Sequence, residues 1–196
     1  MFPRGHDACA LASPAGRGTR GAMPTVFSHA LLPLAAAAAL GRGRVPVPLA
    51  MAGAALAVLP DLDVIGFRFG LGYASEWGHR GVSHSLAFAL LVSGLVALVW
   101  ARARGPGGFL FLFGSMASHV LLDMLTDGGQ GVMLLWPVDG TRWFLPWQPI
   151  RVSPIGLRFF TGRGLETVRS ELLLIWLPSL MVAGAMIAAR RKRAGG

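Results

Sequence analysis

FLFLFGSMASHVLLDMLT, residues 109–126, runs apolar for close to the length of a membrane crossing and then carries a histidine and an aspartate one helical turn apart. Roughly 20 apolar residues take an α-helix across the hydrocarbon core. His119 and Asp123 are spaced i,i+4, which places both side chains on one helix face. Ionisable groups in such a helix are costly and mark function. A helical His-x-x-x-Asp offers an imidazole nitrogen and a carboxylate oxygen to one ion or to two adjacent ions. The same pair serves equally well as a hydrogen bond between helices, so its surroundings decide.

Working outward, four more apolar segments appear, at about 27–40, 45–59, 84–100 and 172–189. The 196 residues are 54% hydrophobic and 14% charged, with a mean hydropathy of +0.57. That composition excludes an ordinary soluble domain. It predicts an all-α, polytopic helical membrane protein, with four to five membrane-embedded helices in one domain over residues 23–189. The first two segments are short, and Pro46 and Pro48 interrupt the second, which predicts a tilted, partly buried hairpin. Pro178 predicts a kink in the last segment unless neighbours repair the lost hydrogen bond. Residues 1–22, rich in Gly, Ala, Pro and Arg, lack an apolar run for a signal or a span and read as disordered, or as an extension upstream of a start at Met23. Cys9 is the single cysteine, which leaves no disulfide framework and no thiolate site.

The net charge of +9 comes from arginines dispersed through short connectors, so no nucleic-acid partner is expected. Connectors 41–44 and 101–105 and the tail 190–196 are basic and free of acid, and read as cytoplasmic by the positive-inside rule. The longer connectors, about 60–83 and 127–171, hold nearly all the remaining acids and read as periplasmic or exterior. The expected location is a bacterial inner membrane. This topology puts His29 near the outer end of the first helix and Asp61 and Asp63 just after the second. His79 and His84 then precede the third, while His119 and Asp123 close the fourth. All seven fall at one membrane face, and inverting the topology preserves that convergence.

Asp61 and Asp63 flank Leu62, and in an extended or turn backbone that spacing points both carboxylates the same way. Solvated acids ending a helix would read identically, but AVLP before and VIGF after make them costly at a lipid boundary without a cation. His79 and His84 straddle Gly81 in a loop entering the third helix, with Ser83 as its expected N-cap. Arg80 between them binds an anionic substrate group, pairs with an acid, or snorkels to the interface. Glu166 is a candidate general base or outer ligand. Trp136, Trp143, Phe144 and Trp147 belong at headgroup level, as a lid or an anchor. Arg190 to Arg193 reads as a topology anchor or as a contact for anionic lipid.

LPDLD (59–63), HRGVSHS (79–85) and SHVLLDMLT (118–126), followed by LLWP (134–137), resemble the YdjM-like family of bacterial inner-membrane proteins, described as membrane-bound metal-dependent hydrolases. The likeness covers about Met23 to Ala189. The order of motifs also resembles the zinc sites of phospholipase C and single-strand nuclease enzymes, which split phosphodiesters, although this chain lacks a second His-x-x-x-Asp/Glu. Together these imply a divalent metal, one to three ions, with zinc best suited to mixed His and carboxylate ligands. His29, Asp61, Asp63, His79, His84, His119 and Asp123 are the implied ligands, and Asp63, Arg80 and Glu166 take the catalytic roles. Metal-activated water would act on a lipid-linked ester or phosphodiester, with membrane lipids as partners. The alternative is a non-catalytic membrane protein whose His and Asp residues carry ions or hold helices together. Ionisable groups gathered at one end, rather than spread through several depths, favour a surface site over a conduit.

Overall fold

A computed structural model of the chain describes residues 22–23, 25–154 and 162–195. Helix α1 spans Val26–Leu40 and α2 Val47–Val58. A 3-10 helical stretch, Leu59–Phe69, continues directly from α2. After a loop come α3, Leu86–Val99, and α4, Pro106–Met124. The last helical run begins as α5, Gly162–Glu171, loosens into a π-helical turn at Leu172–Trp176 and resumes as α6, Leu177–Gly195. Among the described residues the named elements are helical apart from one short antiparallel pair, β1 (Ala22–Met23) against β2 (Ser153–Pro154), with Ala22 opposite Pro154. The expectation of disorder for the first residues otherwise lies outside the described residues.

Local chemistry sets the helix ends. Pro48 stands in the first turn of α2 and Pro106 opens α4, where the missing N–H would have had no partner anyway. Pro48 therefore starts the second helix rather than breaking it. The cap of α3 is Ser85, whose hydroxyl accepts the Phe88 N–H at 3.0 Å. Ser83, the expected cap, instead donates its hydroxyl to Asp63 at 2.7 Å. Pro178 is met by the π turn just before it, where the widened backbone relieves the clash of the ring with the carbonyl four residues back. The last helical run starts ten residues before the expected 172, at Gly162, and continues through the basic residues to Gly195.

Among the described residues, three helical runs are long and apolar enough to cross a membrane: Val47–Phe69, Pro106–Met124 and Gly164–Gly195. α1 and α3, at 15 and 14 residues, rise only about 20 Å each, short of a hydrocarbon core of roughly 30 Å. The short α1 packs against α2, α4, α6 and the π turn, so it lies inside the bundle. Small residues allow the close approach, Ala35 and Ala39 packing on Ala183. The outward faces of α3 and α6 are apolar and exposed, as Leu91, Leu98, Met181 and Val182 show. Lipid is their natural solvent.

The two ends of the bundle differ in charge. At one, the turns after α1 and α3 meet in a cluster containing Ala37, Val45, Ala103 and Leu112. Arg190 of α6 reaches the same end and donates to the carbonyls of Ala38 and Ala39. All three basic segments therefore share one end. The start of α1, the end of the α2 run, the start of α3 and the end of α4 lie at the other.

Gly53 shows how tightly α2 meets α4. A Cβ there would come within 2.5 Å of Phe111 and 2.7 Å of Ser115 Oγ. Gly53→Val is expected to cost about 1–3 kcal/mol by overpacking. Thermal unfolding of detergent-purified protein should show the midpoint falling, whereas Gly114→Ala, whose Cβ meets nothing within 4 Å, should leave it in place.

Candidate metal centre

His119 and Asp123 come from the last turns of α4, His29 from the first turn of α1, Asp61 from the 3-10 stretch and His84 from the short turn before α3. Four of these groups, Asp61, His84, His119 and Asp123, bring ligand atoms within 4.8 Å of one another. His84 Nε2 lies 3.1 Å from Asp123 and 3.7 Å from Asp61, and His119 Nε2 lies 3.6 Å from Asp61 and 3.8 Å from Asp123. His29 Nε2 stands 3.9 Å from both carboxylates, and its ring stacks on His119 with centroids 3.8 Å apart. Donors at about 2.0–2.2 Å from a zinc ion sit roughly 3–4 Å from each other, which is the spacing seen here.

The far side of each ring is held. His119 Nδ1 is 2.7 Å from the Ala57 carbonyl and so carries the proton it donates, leaving the Nε2 lone pair toward the carboxylates. His84 Nδ1 lies 3.2 Å from Asp63 and 3.0 Å from Ser83 Oγ. Asp63 is the hub of this outer layer: it also takes His79 Nδ1 at 2.7 Å, the Ser83 hydroxyl and the Arg80 N–H at 3.3 Å. Asp61 and Asp63 therefore do not point the same way, as an extended backbone would have them. Three residues per turn in the 3-10 stretch rotate them well apart, Asp61 into the centre and Asp63 toward the orienting partners.

The donor set fits a divalent cation. Both nitrogens of His29, both oxygens of Asp61, Asp123 Oδ2 and the Nε2 atoms of His79, His84 and His119 are buried without a hydrogen-bond partner. Buried polar atoms left like this are rare without a ligand to satisfy them. The Arg80 guanidinium lies against Asp123, while Asp61 meets the imidazoles of His29, His84 and His119 at 3.6–3.9 Å. Burial opposes charge on His84, but the neighbouring carboxylates of Asp123, Asp61 and Asp63 outweigh it and raise its pKa well above the usual imidazole range.

Of the three readings of Arg80, pairing with an acid is the one its geometry supports. It is fully buried, with Nε 3.3 Å from Asp123 and Nη2 3.0 Å from Thr126 Oγ1, while Nη1 donates to the Gly128 carbonyl at 2.8 Å. Its backbone sits at φ 63°, a strained setting for a residue with a side chain, held by the surrounding loop. Gly129, at φ +89°, leaves the room: a Cβ there would come within 2.7 Å of Arg80 Nη1. Glu166 is not brought to the centre; it is exposed on α5, where it lines a shallow groove with Arg151 and Arg169. Asp127 pairs with Arg151 at 2.7 Å, so the stripe begun by His119 and Asp123 ends with α4.

Several residues escaped the sequence reading. Arg142 donates to the carbonyls of Ser75 at 3.1 Å and Arg80 at 3.2 Å, pinning the His79–His84 loop under the Trp-rich segment. Nothing in a lone arginine among tryptophans signals this. Glu171 is fully buried and accepts hydrogen bonds from the Thr25 N–H and hydroxyl and, at 2.7 Å, from Ser28 Oγ. Trp176 Nε1 donates to the same Ser28 at 2.8 Å, tying the helix that carries His29 to the last helical run. A single acid at the head of an apolar run, with Ser28 beside His29, was the available clue.

Residues 23–193 match the family described as YdjM inner membrane protein. The chain belongs to the YdjM family. It is also 44% identical over 173 residues to the inner membrane protein YbcI of Escherichia coli (strain K12), covering 86% of this chain and all of that one. No solved structure matches. The YdjM match encloses the whole centre, from His29 to Asp123, together with Glu171.

In this YdjM-family chain, Arg80→Ala leaves Asp123 buried without its counter-charge and is expected to cost about 3–5 kcal/mol. Glu166→Ala should change nothing measurable. Folded yield and melting midpoint in detergent check the pair, and equal behaviour of the two variants would remove Arg80 from the frame of the site.

Proposed function

We propose that this inner-membrane protein is a metal-dependent hydrolase acting on a lipid-linked ester or phosphodiester at the membrane surface. The observation that carries the reading is the convergence of Asp61, His84, His119 and Asp123 with inward atoms unpartnered while the outward nitrogens of both rings are held. Those four residues would hold a divalent ion, zinc by donor type, with His29 as a fifth donor. A bound ion supplies Lewis acidity to the scissile group and makes water nucleophilic near neutral pH.

The chain's own residues do the rest. Asp63 orients His79 and His84 through their Nδ1 atoms, and the Ala57 carbonyl orients His119. His79, with Nδ1 on Asp63 and Nε2 unpartnered, has the arrangement of a proton carrier whose orientation is fixed by a carboxylate. Arg80 spends its donors within the protein and acts as a positioning residue rather than on substrate. Leu62, Ile65 and Phe69 on the 3-10 stretch and Trp77 on the loop after it are exposed apolar side chains at this end. Such groups rest at headgroup level, so a substrate carried on a lipid reaches this end without leaving the bilayer. The basic end opposite supports a site facing the periplasm, by the positive-inside rule.

The complete burial of His29, His84, His119 and Asp123 favours a second reading, a closed metal site that braces the helices without turnover. Metal analysis and hydrolysis separate the two. Wild-type protein from detergent should carry about one ion per chain or more, falling below about 0.1 in His119→Ala, and Asp63→Asn should weaken metal affinity about 10–100-fold. Metal content near zero in the wild type, unchanged by His119→Ala, overturns both readings. Full metal content with no hydrolysis of a panel of lipid esters and phosphodiesters in nanodiscs leaves the bracing site.

A further inference from the structure

We propose that the end of the bundle opposite the metal centre holds one anionic phospholipid, seated in a groove between α1, α2 and α6. The groove encloses about 750 Å³, within the roughly 300–1,000 Å³ of pockets that hold small ligands. Its wall includes Ala37, Ala38 and Ala50, whose small side chains leave the space, and its rim carries Arg42, Arg190 and Arg191. This inference is independent of the hydrolase reading.

The charge of the groove selects the occupant. Every acidic residue from Asp61 onward lies in or beside the connectors of the other end, and the basic segments contain none. Arg42 and Arg191 are exposed and take no ion pair among the described residues. Arg190 is different: it donates to the carbonyls of Ala38 and Ala39, the unpaired groups at the C-terminus of α1, which fixes a third cationic side chain at the groove mouth. Gly41 makes this possible, since a Cβ there would sit 2.8 Å from Arg190 Nη1 and its φ of +87° favours glycine. An apolar trough ended by three guanidinium groups matches a phosphodiester headgroup with an acyl chain below it. Zwitterionic lipid brings an ammonium group that the same arginines repel.

Native mass spectrometry on full-length protein reconstituted in equal phosphatidylglycerol and phosphatidylcholine tests the proposal. Wild type is expected to retain one phosphatidylglycerol, in about tenfold or greater preference over phosphatidylcholine. Arg42→Gln with Arg191→Gln should lose that preference, while Lys192→Gln with Arg193→Gln, outside the groove, should keep it. Ala38→Phe fills the trough without changing charge and should also release the lipid. Unchanged retention in the Arg42/Arg191 variant, equal retention of the two lipids by wild type, or full retention in Ala38→Phe each overturns a built lipid site. Metal content of each variant reports separately on the centre at the other end.

Discussion

Asp61 and Asp123 face three imidazoles in the interior of a membrane protein, and the rest of the structure is arranged around those two buried carboxylates. Arg80 lies against Asp123 at 3.3 Å, and His84 reaches both carboxylates, with 3.1 Å to Asp123. Removing two carboxylates from water would cost several kcal/mol per ion without such partners. Asp61, His84, His119 and Asp123 bring ligand atoms within 4.8 Å of one another and could hold a metal ion.

That requirement explains features of the fold that otherwise look like irregularities. α2 gives way to 3-10 winding where Asp61 and Asp63 must face different neighbours. Arg80 accepts a left-handed backbone setting so that its side chain can run inward beneath Gly129. α1 is too short to span alone, yet it sits between α2, α4 and α6, and its first turn delivers His29 onto His119. Glu171, Thr25 and Ser28 lock that turn to the last helical run. Small residues such as Gly53 and Ala183 let the helices close to the distance the centre needs.

The molecule is polar along its length as well. One end gathers His and Asp side chains, tryptophans and exposed apolar connectors; the other gathers arginines with no acid to meet them. Bilayer charge acts on the second end and headgroup chemistry on the first. Because α1 and α2 touch both ends, the arginine-rimmed groove and the His/Asp cluster share a frame without sharing residues.

Membrane class, helical architecture and the convergence of His29, Asp61, His84, His119 and Asp123 on one end were legible in the chain, because span length, charge asymmetry and alternating helix direction are all properties of order along a sequence. The i,i+4 spacing alone put His119 beside Asp123. Spacing could not separate the roles of Asp61 and Asp63, since that depends on a local 3-10 winding chosen by packing. Nor could it assign Arg80 inward, place Glu166 away from the centre, or reveal Glu171 and Arg142, because each of these is set by contacts with residues distant in the chain. What the sequence determined by itself was which groups reach the same membrane face. Only the tertiary structure decided which of them converge at the centre and which hold the others in place, for that depends on distances of 3–4 Å between helices that no local pattern encodes.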